Sequence, residues 1–271
     1  MTAALFQSPQ ALLFPRNIAP PESVWVTAYG MGTDSTGMLC EAVARGWPPP
    51  LAILAADTGG ERQRTYDYRD LFSEWLVAQG YPAITTVRVE TTTLEQDCLD
   101  RKTLPAIAFG GFKTCSIRFK QEPQNKWLNN NGVCKAEWAA GRKVTKAIGY
   151  EAGEEYRNKS GNEKYINRYP LQEWNMDREA CRQRILFCGL PLPGKSACFF
   201  CSNTTPDELR QMMVEYPDLV QRAIHMEENA DLTTIRGLWR TVSWKEVIEK
   251  GAQAPAYDRS MPCDCYDGDD A

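Results

Sequence analysis

No stretch of the 271 residues approaches the roughly 18 consecutive apolar residues of a membrane helix. The N-terminal ALLFP is too short and too closely bounded by proline for a signal peptide, so the expectation is a cytoplasmic protein with no membrane partner. No internal repeat and no low-complexity tract is visible. Histidine is reduced to His225, and a net charge of -4 argues against a protein that coats nucleic acid non-specifically. Cysteine, in contrast, is plentiful. Ten thiols are more than core packing usually needs in an intracellular chain, and in a reducing compartment they point to metal or redox chemistry before disulfides. A 43% hydrophobic content over this length provides one large domain, or a domain with a sizeable appendage, with a substantial core.

Strand-like and helix-like runs alternate through the first half, the pattern of a parallel sheet with crossover helices. VWVTA (24–28), LAILAAD (51–57), ITTVRVE (84–90) and VTKAIGY (144–150) read as strands, and RYPLQEW (168–174) as a fifth at the sheet edge because of its proline. Tyr68, Leu71, Phe72, Trp75 and Leu76 recur at helical spacing, and Gly80 stops that helix. After Asp177 the character becomes helical: one helix from about Arg178, one opened by the capping box Thr205 to Glu208, and one after the Tyr216-Pro217 break. The expected organisation is an α/β domain over 1–175, a helical cysteine-containing subdomain over 176–257 packed on it, and a mobile acidic Cys-containing tail over 258–271.

The segment YGMGTDSTG (29–37) lies where the first strand meets a helix. The first N–H groups of a helix have no internal partner and point, with the positive end of its dipole, at whatever sits there, which suits a phosphate. Glycines allow a tight turn and close approach, while Asp34, Ser35 and Thr36 supply a cap, hydroxyls and a contact for Mg²⁺. It is not a Walker loop, because the required lysine is absent.

GMGTDS resembles the SGGxDS signature of the PP-loop ATP pyrophosphatases. The segments behind it resemble the phosphoadenosine phosphosulfate reductase branch of that superfamily: Ala56-Asp57-Thr58-Gly59 with ERQRTYDY after it, CSIRFKQEP (115–123), IGYEAGEEYR (148–157), YPLQEW (169–174) and KSACFFC (195–201), in that order. The resemblance implies a Rossmann-like α/β fold of the adenine nucleotide α-hydrolase type, with a helical C-terminal part. ATP would lie across the C-terminal edge of the sheet and be cleaved between its α and β phosphates, giving pyrophosphate and AMP or an adenylylated substrate. It implies binding by Tyr29, Gly30, Gly32, Thr33, Asp34, Ser35, Thr36, Asp57, Thr58 and Arg118, with Asp34, Lys120 and Arg157 as catalytic groups. Charge gathers on the leaving pyrophosphate in such a displacement, and backbone N–H groups, Mg²⁺ and cations stabilise it. Glu155 is placed to orient Arg157 or accept a proton.

Two departures matter. Gly30 and Met31 stand where the commonest signature has Ser and Gly, and no ECG-plus-His motif occurs near the C-terminus. The closer analogy is therefore to the reductase-like proteins of phages and mobile elements and to the sulfurtransferases of DNA phosphorothioation systems. The partners implied are ATP or a related nucleotide, with a nucleic acid or a sulfur-donor protein. Between Lys113 and Lys146 eight Lys/Arg face only Glu122 and Glu137, a basic stretch compatible with phosphates. Two other classes stay open: a sulfonucleotide reductase using Cys263 or Cys265 of the tail, and a non-catalytic nucleotide-sensing subunit.

CFFC (198–201) is a CxxC whose sulfurs can converge on one ion or one redox bond, and a full site requires about four ligands. Cys181 and Cys188 are seven residues apart, about 10 Å of helical rise, so only one of them can join a compact site. The DREAC context of Cys181 and the position of Cys115 resemble cysteines of the reductase-like proteins. Cys115, Cys181, Cys198 and Cys201 are thus the expected thiolates of a four-iron, four-sulfur cluster or, alternatively, of Zn²⁺. Cys40, Cys98, Cys134 and Cys188 are expected to be structural.

Overall fold

The structure, a computed structural model, describes residues 20–105 and 114–254; Lys113, Cys263, Cys265 and the expected tail lie outside the described residues. Five strands, β1 (Trp25–Ala28), β2 (Ala52–Ala56), β3 (Ile84–Val87), β4 (Val144–Ala147) and β5 (Tyr165–Arg168), form one sheet in the order β3-β2-β1-β4-β5. Every neighbouring pair is parallel, with Val26 opposite Ala52 and Val26 also opposite Lys146. This is the doubly wound α/β arrangement expected from the alternating pattern.

The alternation of side chains along each strand explains why both faces are covered. Trp25, Ile53, Ala55 and Ala147 point into a core with α1 (Thr33–Ala44), α2 (Gln63–Ala78), α7 (Pro170–Glu173) and α8 (Arg178–Phe187). Val26, Ala52, Leu54, Ala56 and Val144 point the other way, against Leu128 of α5 (Glu122–Asn130) and Cys134 of α6 (Gly132–Ala139). A third apolar cluster joins α3 (Leu94–Asp100) to α9 (Pro206–Glu215), α10 (Pro217–Asn229) and α11 (Trp244–Lys250), with Phe199 and Phe200 between them. α5 is entered through a single turn, α4 (Thr114–Ser116), and a π-helical turn, Ile117–Gln121.

Local signals set the helix boundaries. Gly80 takes φ 81° two residues after α2, the Asp177 carboxylate accepts from Ala180 N–H at 2.8 Å, and Thr205 and Glu208 form the reciprocal capping box of α9. One expectation needs correction. RYPLQEW is not a strand: pairing ends at Arg168, and Pro170 instead starts α7, where its missing N–H costs nothing. Among the described residues no helix is long and apolar enough to cross a membrane.

The seam between α1 and α8 accounts for the third glycine of the opening loop. A Cβ on Gly37 would lie 2.6 Å from the Cβ of Cys181 and 2.9 Å from its Cα, so the helices can approach this closely only without it. Next to it Glu41, 1% exposed, takes an ion pair from Arg184 at 2.5 Å and another from Arg45 at 2.7 Å.

Candidate functional site

The sheet order reverses between β1 and β4: the chain winds outward one way through β2 and β3, and the other way through β5. In open α/β sheets the crevice at such a reversal, outside the C-terminal strand ends, is where ligands bind. The Tyr29–Gly32 loop and α1 sit there. α1 starts with no side-chain cap at Gly32, leaving the first N–H groups directed at the crevice. The hydroxyls nearby are turned inward instead: Thr36 Oγ1 donates to Gly32 O at 2.7 Å and meets Tyr29 OH at 3.1 Å, and Ser35 Oγ lies 3.4 Å from the same carbonyl. Tyr29 is 1% exposed, so its side chain anchors the loop, and burial raises its hydroxyl pKa. The predicted binders thus divide. Thr36 and Tyr29 brace the loop, and Gly30, with Tyr29 and Met31, lines the crevice.

Met31 carries φ 58°, a left-handed conformation that favours glycine, and its side chain is buried in the first core. The conformational penalty of about 1–2 kcal/mol is offset by burial of the thioether chain. The chain therefore keeps the turn of a glycine signature while using its side chain as a peg.

The loop after β4 closes the crevice from the other side. A Cβ on Gly149 would lie 2.9 Å from Ser35 Cα and 3.0 Å from Ser35 N. Beyond it, Arg178 at the start of α8 donates to Asp34 Oδ2 at 2.8 Å and lies 3.7 Å from Glu151 Oε1. Asp34 Oδ1 is buried without a hydrogen-bond partner. Arg178 and Glu151 were not among the predicted site residues. Burial, with the Asp34 charge second, raises the Glu151 pKa to about 7. A raised carboxyl pKa means that folding takes up a proton. Stability from this group is complete below its unfolded value near 4.5 and falls as pH rises through about 7. Glu151→Gln is therefore expected to be more stable than the parent by about 1–2 kcal/mol at pH 8, with the difference gone at pH 4. Urea unfolding at the two pH values tests it, and a difference that grows toward acid would refute it.

The predicted cations take different positions. Lys120, on the π-helical turn, lines a small open cleft with Ala28, Tyr29, Gly30, Met31, Ala56 and Gln124. Arg118, two residues earlier, turns away and pairs with Asp97 of α3 at 2.7 Å. Arg157 packs 3.9 Å from the Tyr150 ring centroid, and Glu154 holds it at 2.9 Å. Glu155 instead accepts from Gly153 N–H, so its expected part in orienting Arg157 belongs to Glu154. The basic stretch is distributed as well: Lys126 pairs with Glu90 and Arg142 with Glu137, while Lys146 is buried over the Tyr165 ring.

Asp57 and Thr58 form the turn that follows β2. Asp57 Oδ1 accepts from Gly59 N–H and from Tyr66 OH, both at 2.8 Å. Thr58 Oγ1 lies 3.0 Å from Cys198 Sγ, and Gly60 O accepts from Phe199 N–H at 2.7 Å. The CFFC knuckle is thus seated on the Asp57–Gly60 turn, with Cys115 and Cys198 against the third apolar cluster.

The expected set of four thiolates is not brought together. Cys181 is fully buried in the first core, its thiol pushed up by desolvation, against Gly37 of α1. A cysteine on the α1 seam cannot also reach the third cluster. Among the described residues no group of three or more His, Cys, Asp or Glu is placed to hold a metal ion. Cys40, Cys98, Cys134 and Cys188 are buried in the apolar clusters.

No family profile and no curated protein matches the chain. Among solved structures, it is similar to a phosphoadenylyl-sulfate (PAPS) reductase from Candida auris in its phosphate complex, at 14% identity and a TM-score of 0.41, over 65% of this chain and 81% of that one.

Proposed function

We propose that the protein is an ATP-binding enzyme of the PP-loop type that cleaves ATP between the α and β phosphates, yielding pyrophosphate and AMP or an adenylylated acceptor. The observation that carries this reading is the uncapped start of α1 at the reversal of the sheet, held against Gly149. Backbone N–H groups of Gly32 to Ser35 receive the pyrophosphate portion, and the helix dipole stabilises its charge. Lys120 supplies a cation from the cleft wall. Arg178, held by Asp34 and exposed on its outer side, is a second cation within reach of the same phosphates. Mg²⁺ carried by the nucleotide would neutralise phosphate charge, and the unpartnered Asp34 Oδ1 fits one protein contact to it. The four-thiolate cluster does not fit the positions of its cysteines, and no step is assigned to it. The acceptor class in this reading is a nucleic acid group or a sulfur compound.

Incubation of the protein, purified without oxygen, with ATP and Mg²⁺ followed by chromatography of the nucleotides is expected to give AMP and pyrophosphate. ADP as the sole product would refute the reading. Asp34→Ala is expected to lower that turnover about 100-fold, the size of effect seen when one electrostatic contact to a developing charge is removed. Undiminished turnover in a folded variant would remove Asp34 from the site.

A further inference from the structure

Among the described residues two arginine side chains are wholly withdrawn from solvent, Arg62 at 1% exposed and Arg184 at 0%. Arg184 has Glu41 at 2.5 Å. Arg62 has no hydrogen-bond or ion-pair partner among the described residues, and its Nε and Nη1 are buried and unpaired. An unpaired guanidinium in a protein interior is strongly unfavourable, and arginine does not escape by losing its proton.

The unpaired atoms cluster. Glu61 Oε1, Arg64 Nε and Thr65 Oγ1 are likewise buried without partners, within five residues of chain, and so is Ser202 Oγ. These residues enter α2, whose first turn begins at Arg62 with no side-chain cap. Opposite runs the segment leading into the CFFC knuckle. A Cβ on Gly194 would lie 2.9 Å from Arg64 Nε, Ser196 Oγ donates to Glu61 Oε2 at 3.4 Å, and Cys198 Sγ reaches Thr58 Oγ1 at 3.0 Å. The nearby carboxylates are otherwise engaged. Glu208 pairs with Lys195 at 2.9 Å, and Glu215 is 3.7 Å from Arg64 on its exposed side. Burial, foremost, pushes the Glu61 carboxyl up, toward its neutral form.

We propose that Arg62, with Arg64 and the first N–H groups of α2, binds a tetrahedral oxoanion of the sulfate and phosphate class beside Cys198, separately from the α1 loop. A guanidinium fork and an uncapped helix start are the two devices that proteins use for such anions, and here they coincide. The site lies on the α2 side of the Asp57–Gly60 turn and needs no nucleotide to form. Its neighbour, the Cys198 thiol, gives the anion a place next to sulfur chemistry.

The test uses the full chain in a buffer whose only anion is chloride, with ionic strength held constant. Sodium sulfate or inorganic phosphate at about ten times its dissociation constant is expected to raise the Tm by roughly 2–5 °C. Arg62→Met is expected to show no such rise and to be at least as stable as the parent in chloride, because the unpaired charge is gone. Equilibrium dialysis with radiolabelled sulfate should give one site in the parent and none in Arg62→Met. If that variant does not fold, Arg64→Gln decides, with an expected loss of at least tenfold in sulfate affinity. The proposal fails if the parent binds neither ion, or if Arg62→Met responds equally. It fails too if acetate gives the same shift at the same concentration. Displacement of sulfate by AMP would identify the anion as the nucleotide's own phosphate and overturn a separate site.

Discussion

Gly149→Ala is expected to lower nucleotide affinity at least 100-fold while the protein stays folded. The added methyl would sit 2.9 Å from Ser35 Cα and 3.0 Å from Ser35 N. Those are main-chain atoms at the start of a helix, so no rotamer change can relieve the contact, and α1 must move. Its first N–H groups are the groups assigned to the phosphates, and a shift of a few tenths of an ångström spoils every hydrogen bond they would make. The global cost should be modest, about 1–3 kcal/mol for overpacking of this kind, because Gly149 leads a loop rather than a core layer. Gly132→Ala is the control. Nothing lies within 4 Å of its Cβ position, so it should bind nucleotide as the parent does. Calorimetric titration with a non-hydrolysable ATP analogue, alongside circular dichroism, makes the comparison. Equal affinity for the two variants would remove the α1 start from the binding site.

The largest stability effect is expected at Glu41→Gln. Its carboxylate is 1% exposed and serves both Arg184, fully buried on α8, and Arg45 on its own helix. A neutral amide withdraws the buried carboxylate from the Arg184 charge, and breaking a buried pair in this way costs about 3–5 kcal/mol. Arg45 retains some access to water and adds little. The double replacement Glu41→Leu with Arg184→Met should recover most of the loss, since a dry apolar pair of similar volume is tolerated where a single charge is not. Denaturant unfolding of the three variants reads this directly. A single variant that loses less than about 1 kcal/mol would show that water reaches the seam.

How much could be read in advance depends on the distance over which each feature is encoded. The first four strands, the helix after the glycine loop, the Gly80 stop and the Thr205–Glu208 capping box rest on periodicities and caps that span a few residues. They were legible. RYPLQEW was misread because a proline suits an edge strand and the first turn of a helix equally well, and only the end of pairing at Arg168 separates the two. Arg118 and Lys120 were both expected at the nucleotide, one binding and one catalytic, since two positions on a chain say nothing of direction. The π-helical turn sends Lys120 to the cleft and Arg118 to Asp97. Glu151 and Arg178 lay inside recognisable segments, but nothing local said that they meet each other, 27 residues apart, or that Arg178 reaches Asp34 across the reversal of the sheet.

The sequence by itself determined the alternation of strands and helices, the parallel sheet and the presence of a loop suited to phosphate at its first strand–helix junction. These follow from side-chain periodicity and from glycine and cap chemistry, which act over one or two helical turns. Only the tertiary structure decided which thiols, charges and glycines share a space: Cys181 with Gly37 instead of with Cys198, Gly149 against Ser35, and Arg62 buried beside the knuckle without a counterion. Such meetings depend on strand order and helix packing, and those arise from the summed burial of the whole chain, not from any one segment.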